Sequence, residues 1–67
     1  MIQRRFIMYQ NIPNDPVMLL SFVNTQLRDF FTNLDQFCEN FNVNRSELEA
    51  KLKSIDYEYD AATNQFV

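Results

Sequence analysis

Along the chain, apolar positions recur at three- and four-residue spacing in three separate stretches and then switch to alternation. That change of period predicts helices followed by a hairpin. The first helical stretch runs from about Pro16 to Phe31. Leu19, Leu20, Phe22, Val23, Leu27, Phe30 and Phe31 supply a broad apolar stripe, with Ser21, Asn24, Thr25, Arg28 and Asp29 opposite. Its start is marked locally. Asp15 can accept from the unpaired amides of a first turn, and Pro16 suits the first helical position, where an N–H has no partner anyway. The preceding Ile12-Pro13 favours extended backbone.

A second, shorter helix is expected from Leu34 to Phe41, capped by Thr32 or Asn33, with Gln36 placed for a capping box. Leu34, Phe37, Cys38 and Phe41 form its inner face. Asn42 then stands where a left-handed residue ends a helix. The chain contains no glycine, so asparagine is its best choice there. Asn44 caps a third helix over Arg45 to Ile55, with Leu48, Leu52 and Ile55 inward. Glu47 with Lys51, and Glu49 with Lys53, have the spacing of i,i+4 ion pairs.

Tyr57-Glu58-Tyr59, a polar turn, and Gln65-Phe66-Val67 read as two short strands. Such a hairpin is marginal alone, so one face must pack on the helices. Residues 1–11 alternate without a clean polar face and read as an N-terminal extension or edge strand, leaving 12–67 as a single domain. The fold class is therefore mainly α, a three-helix domain with a C-terminal β-hairpin. Cys38 small at mid-helix, Asn42 and Val43 in the turn, and Leu48 and Leu52 inward give the second and third helices helix-turn-helix spacing, and with the hairpin a winged-helix-like outline.

Composition narrows what such a domain can do. Sixty-seven residues bury a small core, and seven phenylalanines with three tyrosines are much ring to hide in it, so a homodimer through the first helix is expected. There is no histidine and a single cysteine. That excludes a histidine base, an internal disulfide and a zinc cluster, and no catalytic group, cofactor or metal site is expected. Asp56, Glu58 and Asp60 alternate as calcium ligands do, but lack the glycine and closing glutamate of a calcium loop. Cys38, facing inward, reads as an inert small hydrophobe. No run approaches a membrane span, and the arginines near the start precede no signal-like apolar run, so a cytoplasmic setting is expected.

The net charge of −3 is concentrated in the second half. A DNA reader needs a positive face. On the third helix Arg45, Ser46 and Lys53 are the candidate DNA contacts, opposed by Glu47 and Glu49 beside them. The other candidate is an interaction patch of Asn24, Thr25, Arg28 and Asp29, in which Arg28 and Asp29 are expected to tie the first helix to the hairpin or to a second subunit. Tyr57 and Tyr59, at alternate positions, are expected to share a face and pack the hairpin.

Asn14-Asp15-Pro16, Leu20-Ser21-Phe22-Val23-Asn24-Thr25, Leu27-Arg28-Asp29, Leu34-Asp35, Tyr57-Glu58-Tyr59-Asp60 and Asn64-Gln65-Phe66 together resemble the Domain of Unknown Function 4250 family of small bacterial proteins. The resemblance spans residues 12–67, and Leu20 to Asp29 is its most specific part. It implies a bacterial origin and a cytoplasmic setting and carries no activity. Residues 1–11 extend beyond the family's usual start. Asp56 stands where the family favours glycine, a departure expected to strain the turn before the hairpin. From these observations the expected function is a non-enzymatic protein-interaction or regulatory module. The alternative is a DNA-binding winged helix-turn-helix transcriptional regulator.

Overall fold

The computed structural model describes residues 12–67; the expected extension or edge strand over 1–11 lies outside them. Three helices, α1 (Pro16–Asp29), α2 (Leu34–Phe41) and α3 (Arg45–Lys53), precede an antiparallel hairpin of β1 (Tyr59–Asp60) and β2 (Gln65–Phe66). The architecture is the mainly helical one that the change of period predicts.

Each helix starts on a side-chain cap. The Asp15 carboxylate accepts from the Met18 N–H at 3.1 Å, Asn33 Oδ1 from the Gln36 N–H at 2.8 Å, and Asn44 Oδ1 from the Glu47 N–H at 3.0 Å. Each bond satisfies a first-turn donor that the helix itself leaves unpaired. The Gln36 side chain reaches back to Thr32 rather than to Asn33, accepting from its N–H and its hydroxyl.

Helix ends depart further from expectation. α1 stops at Asp29, not Phe31. The N–H groups of Phe30 and Phe31 both donate to Gln26 O, and Phe31 swings edge-on against Phe37 and Phe41, 5.9 and 6.0 Å between centroids. Only one of two adjacent rings can turn that way, so Phe30 is left 65 % exposed. α3 likewise stops at Lys53, two residues before Ile55. α2 and α3 end alike. Asn42 (φ 57°) and Asp56 (φ 69°) are left-handed, and the residue after each, Val43 or Tyr57, donates back to the carbonyl of Cys38 or Leu52. This is the Schellman arrangement.

The core is contiguous: Leu19, Val23 and Leu27 from α1, Leu34, Phe37 and Cys38 from α2, Leu48 and Leu52 from α3, and Phe66 from β2. Phe22, Phe31 and Phe41 are half-buried around Phe37, in edge-on or tilted contacts that suit the quadrupoles of the rings. Most of the rings among the described residues are thereby housed within one chain. Among the described residues, the large apolar side chains left outside are Phe30, Tyr57, Val67, Val17 and Met18.

Candidate functional site

The four residues of the expected patch on α1 separate into two groups. Asn24 is half-buried and acts on the backbone of β2: its amide donates to Phe66 O at 3.1 Å, and its Oδ1 accepts from the Phe66 N–H at 2.8 Å. A side-chain amide thus pairs with a strand edge as a neighbouring strand would. The Gln65 side chain returns a bond to Asn24 O at 3.2 Å. Arg28 and Asp29 do not tie α1 to the hairpin. They pair with each other through two bonds of 2.9 and 3.0 Å, both exposed, because adjacent positions on a helix end place the two heads side by side in solvent. The pairing raises the Arg28 pKa and lowers that of Asp29. Thr25 is exposed on the outward side. The patch is thus one structural clamp and one surface ion pair.

The expected DNA contacts on α3 are engaged by carboxylates. Arg45 donates to Asp35 at 2.8 Å and to Glu49 at 3.0 Å, and its guanidinium lies 5.5 Å from the centre of the Tyr59 ring. Asp35 first, then Glu49, raise its pKa. Lys53 pairs with Glu58, which raises the lysine and lowers the glutamate. Ser46 stays exposed. The expected Glu47–Lys51 and Glu49–Lys53 pairs are replaced, since Lys51 reaches Asn14 at 2.6 Å and Lys53 pairs with Glu58, beyond the end of the helix. Glu49 instead makes the i,i+4 bond with Arg45.

The residue that organises this region is not among the expected site residues. Asn64, left-handed at φ 58°, donates to Leu27 O at 3.1 Å and Phe31 O at 2.9 Å, closing the C-terminal end of α1. Its Oδ1 accepts from the Tyr59 hydroxyl at 2.7 Å, and that hydroxyl accepts from the Leu34 N–H at 3.2 Å, closing the N-terminal end of α2. The only signal for it is positional: an asparagine after a polar turn, where a hairpin needs positive φ. Tyr57 does not share this role. Its N–H is drawn off by Leu52 O, it stands outside β1, and it lies exposed while Tyr59 packs on Phe66 at 5.6 Å.

Two grooves remain. One of about 370 Å³ runs between α3 and β1, past Glu49, Ala50, Lys53 and Tyr59. The other, about 240 Å³ and more apolar, lies where Ile12 and Pro13 meet Val43 and Leu48. Cys38 is buried, and burial raises its thiol pKa. Among the described residues, no three metal-ligating side chains gather, and no helix is long and apolar enough to cross a membrane.

Residues 13–66 match the family described as a domain of unknown function (DUF4250), and the chain belongs to that family. No curated protein and no solved structure matches it.

Proposed function

We propose that this member of the family is a non-enzymatic protein-interaction or regulatory module that self-associates through α1. The observation that carries the reading is the exposure of Val17 and Met18, 63 and 61 %, on a domain whose core is otherwise closed. They begin a stripe that continues through Ser21 and Thr25, small residues one turn apart on the exposed side, which leave room for a second helix to approach. β2 runs antiparallel along α1: Asn64 meets Leu27 and Phe31, and Phe66 meets Asn24. Exposed Val67 therefore continues toward the end where Val17 and Met18 lie. Two copies packed about a two-fold axis would cover the same patch on each.

Support for a non-enzymatic role is chemical. The chain has no histidine, its one thiol is buried with a raised pKa, and three of its six cations, Arg28, Arg45 and Lys53, are held by carboxylates. The same pairing weighs against the DNA-binding alternative, because phosphate would have to compete with Asp35 and Glu49 for Arg45 and with Glu58 for Lys53. Sedimentation velocity at micromolar concentration tests self-association. The native chain should run as a dimer, and Val17→Glu with Met18→Glu as a folded monomer of unchanged helical circular dichroism. A native chain that sediments as a monomer refutes it.

A further inference from the structure

The hairpin has two edges, and they are treated differently. Glu58 and Val67 exchange both main-chain bonds, at 3.0 and 2.8 Å, so the next pair in register, Tyr59 and Phe66, is a non-hydrogen-bonded pair whose N–H and C=O groups point away from each other. On the β2 side those outward groups belong to Phe66 and are taken by Asn24. On the β1 side they belong to Tyr59, and among the described residues neither has a partner. The open edge faces the groove of about 370 Å³ between β1 and α3. Tyr59 itself is fixed, through its hydroxyl and its ring, so the edge is held in place for an incoming strand.

Charge selects what could lie there. Glu49 and Glu58 line the groove, Asp60 lies in β1, Asp35 pairs with Arg45 beside the Tyr59 ring and Asp56 stands near Lys53, so among the described residues five acids meet two cations here. Among the described residues the edge thus carries an excess of three negative charges. Glu58 and Asp60 flank Tyr59 and would lie opposite alternate residues of an added strand.

We propose that the open edge of β1 receives an extended peptide segment of a partner protein, with basic residues at alternate positions and a small apolar residue between them. The central residue would exchange both main-chain bonds with Tyr59, its side chain lying against Ala50 in the groove, and the two cations would face Glu58 and Asp60. A second copy of β1 fits badly, because pairing about Tyr59 would set Glu58 against Asp60. The chain's own Arg4 and Arg5 are adjacent, not alternate, so a strand built from them would offer only one cation to that face. The proposal does not depend on self-association through α1.

The test is a titration of the full-length, isotope-labelled chain with a capped lysine–valine–lysine–valine–lysine peptide. Expected are amide shifts confined to Glu58–Asp60 and the C-terminal half of α3, and at least a tenfold slowing of Tyr59 N–H exchange. A peptide N-methylated at both valines keeps the charge and loses the main-chain donor to Tyr59 in either register, and should bind at least tenfold more weakly. Glu58→Lys, at an exposed position, should weaken binding to a similar degree with the fold intact. The Val17→Glu, Met18→Glu chain should bind as the native chain does, which separates failure here from failure of the dimer. Equal binding of the methylated peptide would reduce the contact to loose ion pairing and overturn the proposal. So would shifts centred elsewhere, or a Tyr59 amide already protected before peptide is added, by a second copy or by the chain's own residues.

Discussion

Asp56 is the residue at which local chemistry and backbone geometry disagree most plainly. Its φ of 69° is left-handed, and the Schellman end of α3 requires that geometry, since Asp56 N–H and Tyr57 N–H must turn back to Lys53 O and Leu52 O at 2.8 and 3.0 Å. A Cβ in this region costs on the order of 1 kcal/mol, less for asparagine and aspartate than for other residues. The same geometry is met by asparagine at Asn42 and Asn64. Asp56 also stands near Lys53, whose charged form it favours. Replacing Asp56 with glycine removes the steric cost but gives the unfolded chain more freedom, which offsets part of the gain. The expected net is a stabilisation of up to about 1 kcal/mol, visible as a rise of a few degrees in Tm. A lowered Tm for Asp56→Gly would mean that the carboxylate contributes more at the end of α3 than its Cβ costs.

At the scale of elements, the hairpin works as a clamp. Two polar side chains on it, Tyr59 and Asn64, satisfy the carbonyls ending α1 and the first amide of α2, and Phe66 fills the core between them. Tyr59→Phe keeps the ring but deletes the oxygen that joins Leu34 N–H to Asn64 Oδ1. Leaving such half-buried groups unpaired costs about 1–3 kcal/mol. The melting temperature should fall by several degrees with cooperativity retained; an unchanged melt would show that the α1–α2 junction holds without the bridge. Helix starts were legible because caps are local: Asp15, Asn33 and Asn44 act within three residues of themselves. Helix ends were less so. Whether α1 continues to Phe31 depends on Phe37 and Phe41, which no local pattern around Phe31 reveals. The ion pairs failed for the same reason, as Asn14 and Glu58 outcompete the ladder neighbours of Lys51 and Lys53. The patch on α1 was legible as a polar face but not as a clamp, since Asn24 meets β2 across 42 residues of sequence.

For the molecule as a whole, the paired charges and the buried thiol set how stability follows pH. With no histidine in the chain, no side chain with an ordinary pKa near neutrality changes charge between about pH 6 and 8. Below that range the depressed carboxylates act. Asp29 and Glu58 have folded-state pKa values under their ordinary 3.8 and 4.5, because Arg28 and Lys53 hold the charged forms. Their stabilisation is therefore complete above those ordinary values and is lost as pH falls through the depressed ones. Both groups are exposed, so the effect is small and weakens with salt. Above neutrality the sign reverses. Burial raises the Cys38 thiol above its ordinary 9.0, so the folded chain keeps a proton that the unfolded chain releases, and stability falls as pH rises past that value. Arg28, Arg45 and Lys53, all raised by their carboxylate partners, lose their contributions only at still higher pH. Melting temperature against pH should thus be flat across neutrality, with a shallow, salt-sensitive acid limb and an alkaline limb that salt hardly moves. The Asp29→Asn, Glu58→Gln double variant should flatten the acid limb, and Cys38→Ala should move the alkaline limb upward while lowering the plateau through the volume it removes. If the alkaline limb stays in place in Cys38→Ala, the thiol is not what the fold protects, and the lysine and arginine pairs carry that limb instead.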